Sequence, residues 1–578
     1  MSPFTPQDLP VDILPPILSH LSGTKDWHAC ALVSKLFNTV ATPLLYRSLH
    51  SARKCHIHPA TTLLQRPELA KYVRHVTETG AVHRGLSHRY PNITRDTLAA
   101  IALCRNLRSM TWADEEPNSD TTLLQFLAVL RSLPLRELTI KTHSDLGESV
   151  WSELIKLNGL EKIAIWCMEG PPRVLQGWSE LLGTTLTKLE LGRCAGVPPT
   201  ILITVLSQLP LLRDLRLKGA QAHTIPIILS FLPNLKSLDT EYFLFSANGP
   251  RSRPNTNALP TLQNLTVRTS SIDTMGPQKL WQFILELVPN KGLETLKLHA
   301  FTINMGHTSV PRMFILDLAR IHEDTLKHFI VGEAQLTLKD IECLCSKFPK
   351  LETLNCSVAS PDVASIAAAI SGAKNLRRLR LQVQWIPATQ SQCIDEEETF
   401  QEALASRSTL LEQALARAAL GSAKGDVTRP MPPLPPFPRR TTTTATPTRV
   451  TQHVTPVHRA SLPLSAFSAK ADPFDGHMTH YRTRLGVTGR QPDSGMAEQE
   501  FTMEAAMDLM LRDEESQLRV IGIGATVYTG KWVLEEPQDE AEDVGCKQWR
   551  GVISQRKIEE RRLRFEVVKS VAEDRWDP

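Results

Sequence analysis

A six-residue unit, apolar at its first and fourth positions and usually at its sixth, occurs eleven times along this 578-residue chain. It reads LRSMTW from Leu107, LRELTI from Leu135, LEKIAI from Leu160, LTKLEL from Leu186, LRDLRL from Leu212 and LKSLDT from Leu235. It continues as LQNLTV from Leu262, LETLKL from Leu293, LKHFIV from Leu326, LETLNC from Leu351 and LRRLRL from Leu376, with VRHVTE from Val73 as a degenerate first copy. Successive starts lie 28, 25, 26, 26, 23, 27, 31, 33, 25 and 25 residues apart. One such hexad arises easily by chance, whereas eleven near a common spacing require a repeated architecture. Alternation at the fourth and sixth positions makes a short strand with one face inward. No unit of this length buries its apolar face alone, so neighbours must stack, and the fold class is α/β: a curved solenoid built on a parallel sheet.

The pattern resembles the leucine-rich-repeat family over residues 70–392, as about 11–12 irregular repeats; Cys194 stands at the family's Asn/Cys position. Beyond it, residues 393–421 read as one helix, with Phe400, Leu404, Leu411, Leu415 and Ala418 on one face, expected to cap the solenoid. Residues 422–497 are rich in Pro and Thr and read as a disordered linker. Residues 498–578 regain the patterns of a small α+β segment of unknown function.

Composition narrows the function classes. There are 65 basic and 61 acidic residues, a net +4, too even to argue for nucleic acid or a membrane surface. Ten cysteines without a regular framework, no secretory opening and no apolar run long enough to span a bilayer suggest a reduced, soluble protein of the cytoplasm, the nucleus or both.

The N-terminal stretch carries a different signature. LPVDILPPILSHL from Leu9 places Ile13, Leu14, Ile17, Leu18 and Leu21 at helical spacing, and Pro15 and Pro16 confine the helix start to Leu14 or Pro15. DWHACALVSKLFNTVA then reads as one helix with two apolar stripes. One comprises Ala29, Cys30, Val33, Phe37 and Val40, the other Leu32 and Leu36, and Pro43 is expected to end the helix. Two stripes are more than one packing neighbour needs.

These residues, from Leu9-Pro10 and Asp12-Ile13 to Cys30-x-Leu32-Val33-Ser34-Lys35-x-Phe37, resemble an F-box over residues 5–50, with Trp27 and the Pro15-Pro16 pair as departures. The resemblance implies a three-helix unit that docks on the Skp-type adaptor of a cullin–RING (SCF-type) ubiquitin ligase. It also implies a chain that selects substrate and performs no chemistry itself. The expected adaptor contacts are Leu9, Pro10, Ile13, Leu14, Ile17, Leu32, Val33 and Phe37. The alternative is a repeat scaffold acting outside ubiquitylation.

Substrate would meet the side chains flanking the inward leucines, on the concave sheet face. Nine basic residues project there against five acidic ones, so an acidic or phosphorylated protein segment is the expected partner. The candidates are Trp166, Lys188, Arg216, Lys218, Arg268, Arg378 and Arg380. No catalytic motif accompanies them. ATVYTGKW lacks both the first P-loop glycine and the Ser/Thr that would hold magnesium, and neither H-E-x-x-H nor G-x-S-x-G occurs. Cys55, His56 and His58 form a CHIH cluster without a second ligand pair and read as a solvated loop. No metal and no cofactor are expected.

Overall fold

The computed structural model describes residues 11–386 and 501–571 apart from internal stretches, the longest of which are 168–177, 243–258, 270–276, 301–308 and 535–562. Leu9, Pro10, the expected capping helix at 393–421 and the expected linker at 422–497 lie outside the described residues.

The described residues begin with a 3₁₀ turn, Val11–Ile13, and three helices: α1 (Leu14–Ser19), α2 (Thr24–Val33) and α3 (Lys35–Leu45). The prolines occupy the first turn of α1, where their missing N–H groups cost nothing. Two expectations are corrected here. Residues 26–41 form two helices, because Ser34 turns extended and its Oγ accepts the Phe37 N–H at 3.2 Å, capping α3. Pro43 does not end α3. It sits two residues short of Leu45, where only one hydrogen bond is forfeited, and Ala41, Leu44 and Leu45 around it pack into the helical core.

Among the described residues a single sheet of 16 strands follows, its strands in sequence order. Its first part comprises β1 (Ser48–His50), β2 (His75–Thr79), β3 (Ser109–Asp114), β4 (Glu137–Thr142), β5 (Lys162–Cys167), β6 (Lys188–Leu191), β7 (Asp214–Leu217) and β8 (Ser237–Glu241). It continues with β9 (Asn264–Thr269), β10 (Thr295–Ala300), β11 (His328–Leu336), β12 (Thr353–Ser360), β13 (Arg378–Trp385), β14 (Val520–Ile523), β15 (Thr526–Leu534) and β16 (Leu563–Val571). Pairing is parallel from β1 to β14 and antiparallel at β14–β15 and β15–β16.

The hexad's fourth position makes one continuous rung. Val76, Met110, Leu138, Ile163, Leu189, Leu215, Leu238, Leu265, Leu296, Phe329, Leu354 and Leu379 stand in register, all buried. Helices between the strands, such as Asp120–Leu130 and Arg312–His322, close the other side of this core. The sheet thus inherits the period-two pattern of the repeat, and a one-residue slip would turn every inward leucine out.

Residues 501–571 extend that same sheet. Ile521 takes the next rung beside Leu379 and is fully buried. LRVIGI from Leu518 is therefore a further copy of the hexad, beginning 142 residues after Leu376. The antiparallel strands are the last of the sheet among the described residues. The outermost, β16, carries Arg564, Glu566 and Lys569, charges that discourage further pairing at an edge.

Candidate docking surfaces

Among α1–α3, burial separates core from surface. Leu18, Ala31 and Ala41 form the small core, and Cys30, Phe37, Val40, Leu44 and Leu45 pack around it. Trp27 Nε1 donates to the Leu18 carbonyl at 3.0 Å and Asn38 Nδ2 to that of Ala31 at 3.0 Å, tying α1 to α2 and α2 to α3. Against that frame, Ile13 (40 % exposed), Ile17 (52 %), Leu32 (73 %) and Val33 (62 %) stand in water. Ile13 and Ile17, four apart, share one helical face.

Two other expected adaptor contacts are placed differently from these four. Leu14 is 1 % exposed and belongs to the interior of its own chain. Phe37 is half-buried and packs into the helical core, so its first duty is to hold that core together.

The outward face of the sheet brings several of the expected substrate residues together, but not as free cations. The Arg216 guanidinium lies 4.4 Å from the Trp166 ring centre, and Arg216 Nε is 3.1 Å from Asp239. Arg268 grips the same carboxylate with two hydrogen bonds, at 2.8 and 3.0 Å. Trp166 can lie flat here because residue 192 is glycine; a Cβ at that position would come within 2.4 Å of the ring. Lys188 is paired with Glu190 at 3.4 Å, and Arg378 donates to Thr353 Oγ1 at 3.2 Å. Lys218 stays exposed, next to Glu241, whose carboxyl is raised by burial, with the Lys218 charge and the Gly219 N–H opposing. Arg380 also has a partner. The basic lean thus contracts to a cluster of Arg216, Arg268 and Lys218 around Asp239 and Glu241. The pattern of outward charges identified the residues; their mutual pairing depends on strand register across neighbouring repeats and is not visible along the chain.

A third grouping was missed altogether. His58 does not lie in a solvated loop: it is 4 % exposed and caps α4 (Pro59–Gln65), its Nδ1 accepting the Ala60 N–H at 3.2 Å. Its Nε2 is 3.4 Å from Glu78 Oε2, and His83 Nε2 lies 3.2 Å from the same oxygen. Cys55 and His56 lie outside the described residues. Among the described residues, His58, Glu78 and His83 are the one set with metal-ligand spacing. The cap decides the chemistry. A ring nitrogen that accepts a backbone N–H carries no proton, so the proton of this ring sits on Nε2, 3.4 Å from Glu78 Oε2. That nitrogen has no lone pair left for a cation, and the set is a buried triad, with His83 hydrogen-bonded to Glu78, that joins α4 to β2 and the helix after it.

Burial pushes the Glu78 carboxyl up, but the two imidazoles of His58 and His83 against it outweigh this and hold it down to about 2. A depressed carboxylate adds stability above its unfolded value, near 4.5, and loses it as pH falls through the folded one. Glu78→Gln should therefore lower the unfolding free energy measured by urea titration at pH 7, by an amount on the order of a few kcal/mol. The gap from the parent protein should close between about pH 4.5 and 2. A gap independent of pH over that window would contradict this role.

Residues 6–52 match the F-box-like family. The chain thus carries an F-box-like domain ahead of the solenoid of stacked hexad repeats. No curated protein matches the chain. Among solved structures, a complex of Rad7 and Elc1 in yeast resembles it at 16 % identity and a TM-score of 0.38, over 65 % of this chain and 88 % of that one. The Toll–Spätzle complex of Drosophila resembles it at 10 % identity and a TM-score of 0.27, over 60 % of this chain and 52 % of that one. Likenesses this distant carry no information about what the chain binds.

Proposed function

We propose that this chain is the substrate-receiving subunit of a cullin–RING ubiquitin ligase. Helices α1–α3 dock a Skp-type adaptor, and through it the cullin and RING subunits, while the outward sheet face holds the protein to be modified. The observation that most supports this is the exposure of Ile13, Ile17, Leu32 and Val33 on an F-box-like domain. Large aliphatic side chains left in water gain about 1.5–3 kcal/mol each on full burial, the scale at which a few anchors set the affinity of an interface. Leu9 and Pro10 belong to the same proposed contact.

In this reading the chain contributes no reaction step. It acts by proximity, raising the effective concentration of a bound protein beside the ligating subunits, in the cytoplasm, the nucleus or both. The recognised segment is acidic or phosphorylated. Its carboxylate or phosphate would compete with Asp239 for the two arginines and meet Lys218, with Trp166 as the apolar floor.

Affinity capture of the native protein tests both halves. Adaptor and cullin should co-purify in comparable amounts. A protein recovered only when the ligase is inhibited should disappear when Arg216 and Lys218 are both changed to Glu. Adaptor without cullin, or neither, would refute the ligase assignment; substrate capture indifferent to the charge reversal would refute the recognition face.

A further inference from the structure

The second position of each hexad lies at the entrance to its strand, and the backbone aligns these positions along one rim of the sheet. The Arg47 carbonyl accepts from the N–H groups of Arg74 and His75, that of Arg74 from Arg108 and Ser109, and that of Arg108 from Arg136 and Glu137. The Arg136 carbonyl accepts from Glu161 and Lys162 in the same way. Successive rim residues therefore stand one strand spacing apart, about 4.8 Å. Further along, the rim mixes charge with its opposite: Lys327 pairs with Glu294 at 3.0 Å and Arg377 approaches Glu352 at 3.9 Å. At the F-box-like end it does not. Four arginines follow one another, Arg47, Arg74, Arg108 and Arg136.

Those four surround a cavity of about 440 Å³ where the end of α3 meets the first strands, with Pro43, Leu44 and Tyr72 as its apolar wall. Arg136 is paired with Glu161 at 3.0 Å. Among the described residues, Arg74 donates only to the carbonyls of Lys71 and Asn106, at 3.2 and 3.3 Å, which fixes its position without cancelling its charge. Among the described residues, neither Arg47 nor Arg108 has an ion pair or a side-chain hydrogen bond. The lining therefore holds four guanidinium groups against the carboxylates of Glu137 and Glu161, two positive charges in excess. His75, in the same wall, has its imidazole pushed down first by burial and then by Arg47, with Glu137 opposing and Arg108 adding to the fall.

Stacking uncompensated cations one strand apart costs electrostatic energy that a mixed rim avoids, as the distal repeats show. The cost is recovered when an anion sits among them. Guanidinium forks are suited to phosphate and carboxylate oxygens, which they can bind in pairs. The volume falls within the range of small-molecule sites and exceeds what a single monoatomic ion fills.

We infer that this seam between the F-box-like helices and the first repeats is a binding site for a compact small-molecule polyanion bearing two or more phosphate groups, held by Arg47, Arg74 and Arg108. The site is separate from the proposed substrate face and independent of whether that face is correct. A ligand there would touch α3 and strands β2–β4 at once and so brace the helical unit against the solenoid.

Inorganic tripolyphosphate is a suitable probe. Titration calorimetry on the full chain, at constant ionic strength set with chloride, should show saturable binding and a ligand-dependent rise in Tm. Arg47→Gln combined with Arg108→Gln should weaken that binding at least tenfold. Both side chains are exposed, so the variant should keep the circular dichroism spectrum of the parent protein. Arg213→Gln removes an arginine from the same rim position between Thr187 and Lys236, outside the cavity, and should leave binding unchanged. Absence of saturable binding to the parent protein would overturn the assignment. So would equal weakening by Arg213→Gln, which marks diffuse charge attraction, or equal affinity for monophosphate, which marks a single-anion site.

Discussion

Changing Leu32 and Val33 together to aspartate should abolish capture of the adaptor while leaving the protein folded. The two side chains are 73 % and 62 % exposed at the end of α2, so the free chain loses almost no packing when they change. In a complex that buries them, two apolar contacts of about 1.5–3 kcal/mol each vanish and two carboxylates are forced out of water. At 1.4 kcal/mol per tenfold, affinity should fall by at least about two to four orders of magnitude. Phe37→Asp is the instructive contrast. Phe37 packs against the core of Leu18, Ala31 and Ala41, so its loss should lower helix content as well as binding. Pull-down and circular dichroism on both variants separate the cases. A folded Leu32→Asp/Val33→Asp protein that still retains the adaptor would show that docking uses another surface.

The contrast between those two residues also shows where sequence reasoning stopped. Leu32, Val33 and Phe37 stand in one short apolar pattern, and read as a single helix they form adjacent stripes. Ser34 resolves them: by leaving the helical region and capping α3, it rotates the two halves relative to each other, so Val33 faces water and Phe37 faces inward. One serine in a helical window carries too little signal to announce that break. The sheet was legible for the opposite reason. Its inward rung depends only on a period of two and a repeat length, both local, and every copy repeats the statement.

Long-range groupings were the hidden part. His58 looks like one of three metal-prone residues in a loop until β2 and the helix after it bring Glu78 and His83 to its ring. The rim arginines look like ordinary solvated charges at the second place of each hexad, and only the register of four strands stacks them around one cavity. LRVIGI was legible in principle, being a full hexad, but distance from the others hid it.

Ending the chain after Ile386 should have the largest effect on stability, and the reason lies in that last hexad. The truncation removes Leu509, Met510, Leu518, Ile521 and Tyr528, each no more than 1 % exposed. It leaves Leu379 without its partner Ile521 and strips β13 of the strand that pairs with it. It also removes the Arg512 hydrogen bond to the Ala373 carbonyl at 2.9 Å, which closes the turn before β13. In a stacked array each repeat draws stability from its neighbours, so the damage should start at β13 and spread toward β11 without unfolding the N-terminal repeats. Hydrogen exchange should show β12 and β13 losing protection, and the newly bared strand, long and apolar on one face, should drive association visible by light scattering. Ile521→Asp keeps the full length and puts a charge on the buried rung beside Leu379. It should reproduce the loss of protection in β13, because a buried unpaired carboxylate costs more than the apolar contact it replaces. Normal protection of β13 in both variants would mean that the solenoid is closed by something other than the returning strands.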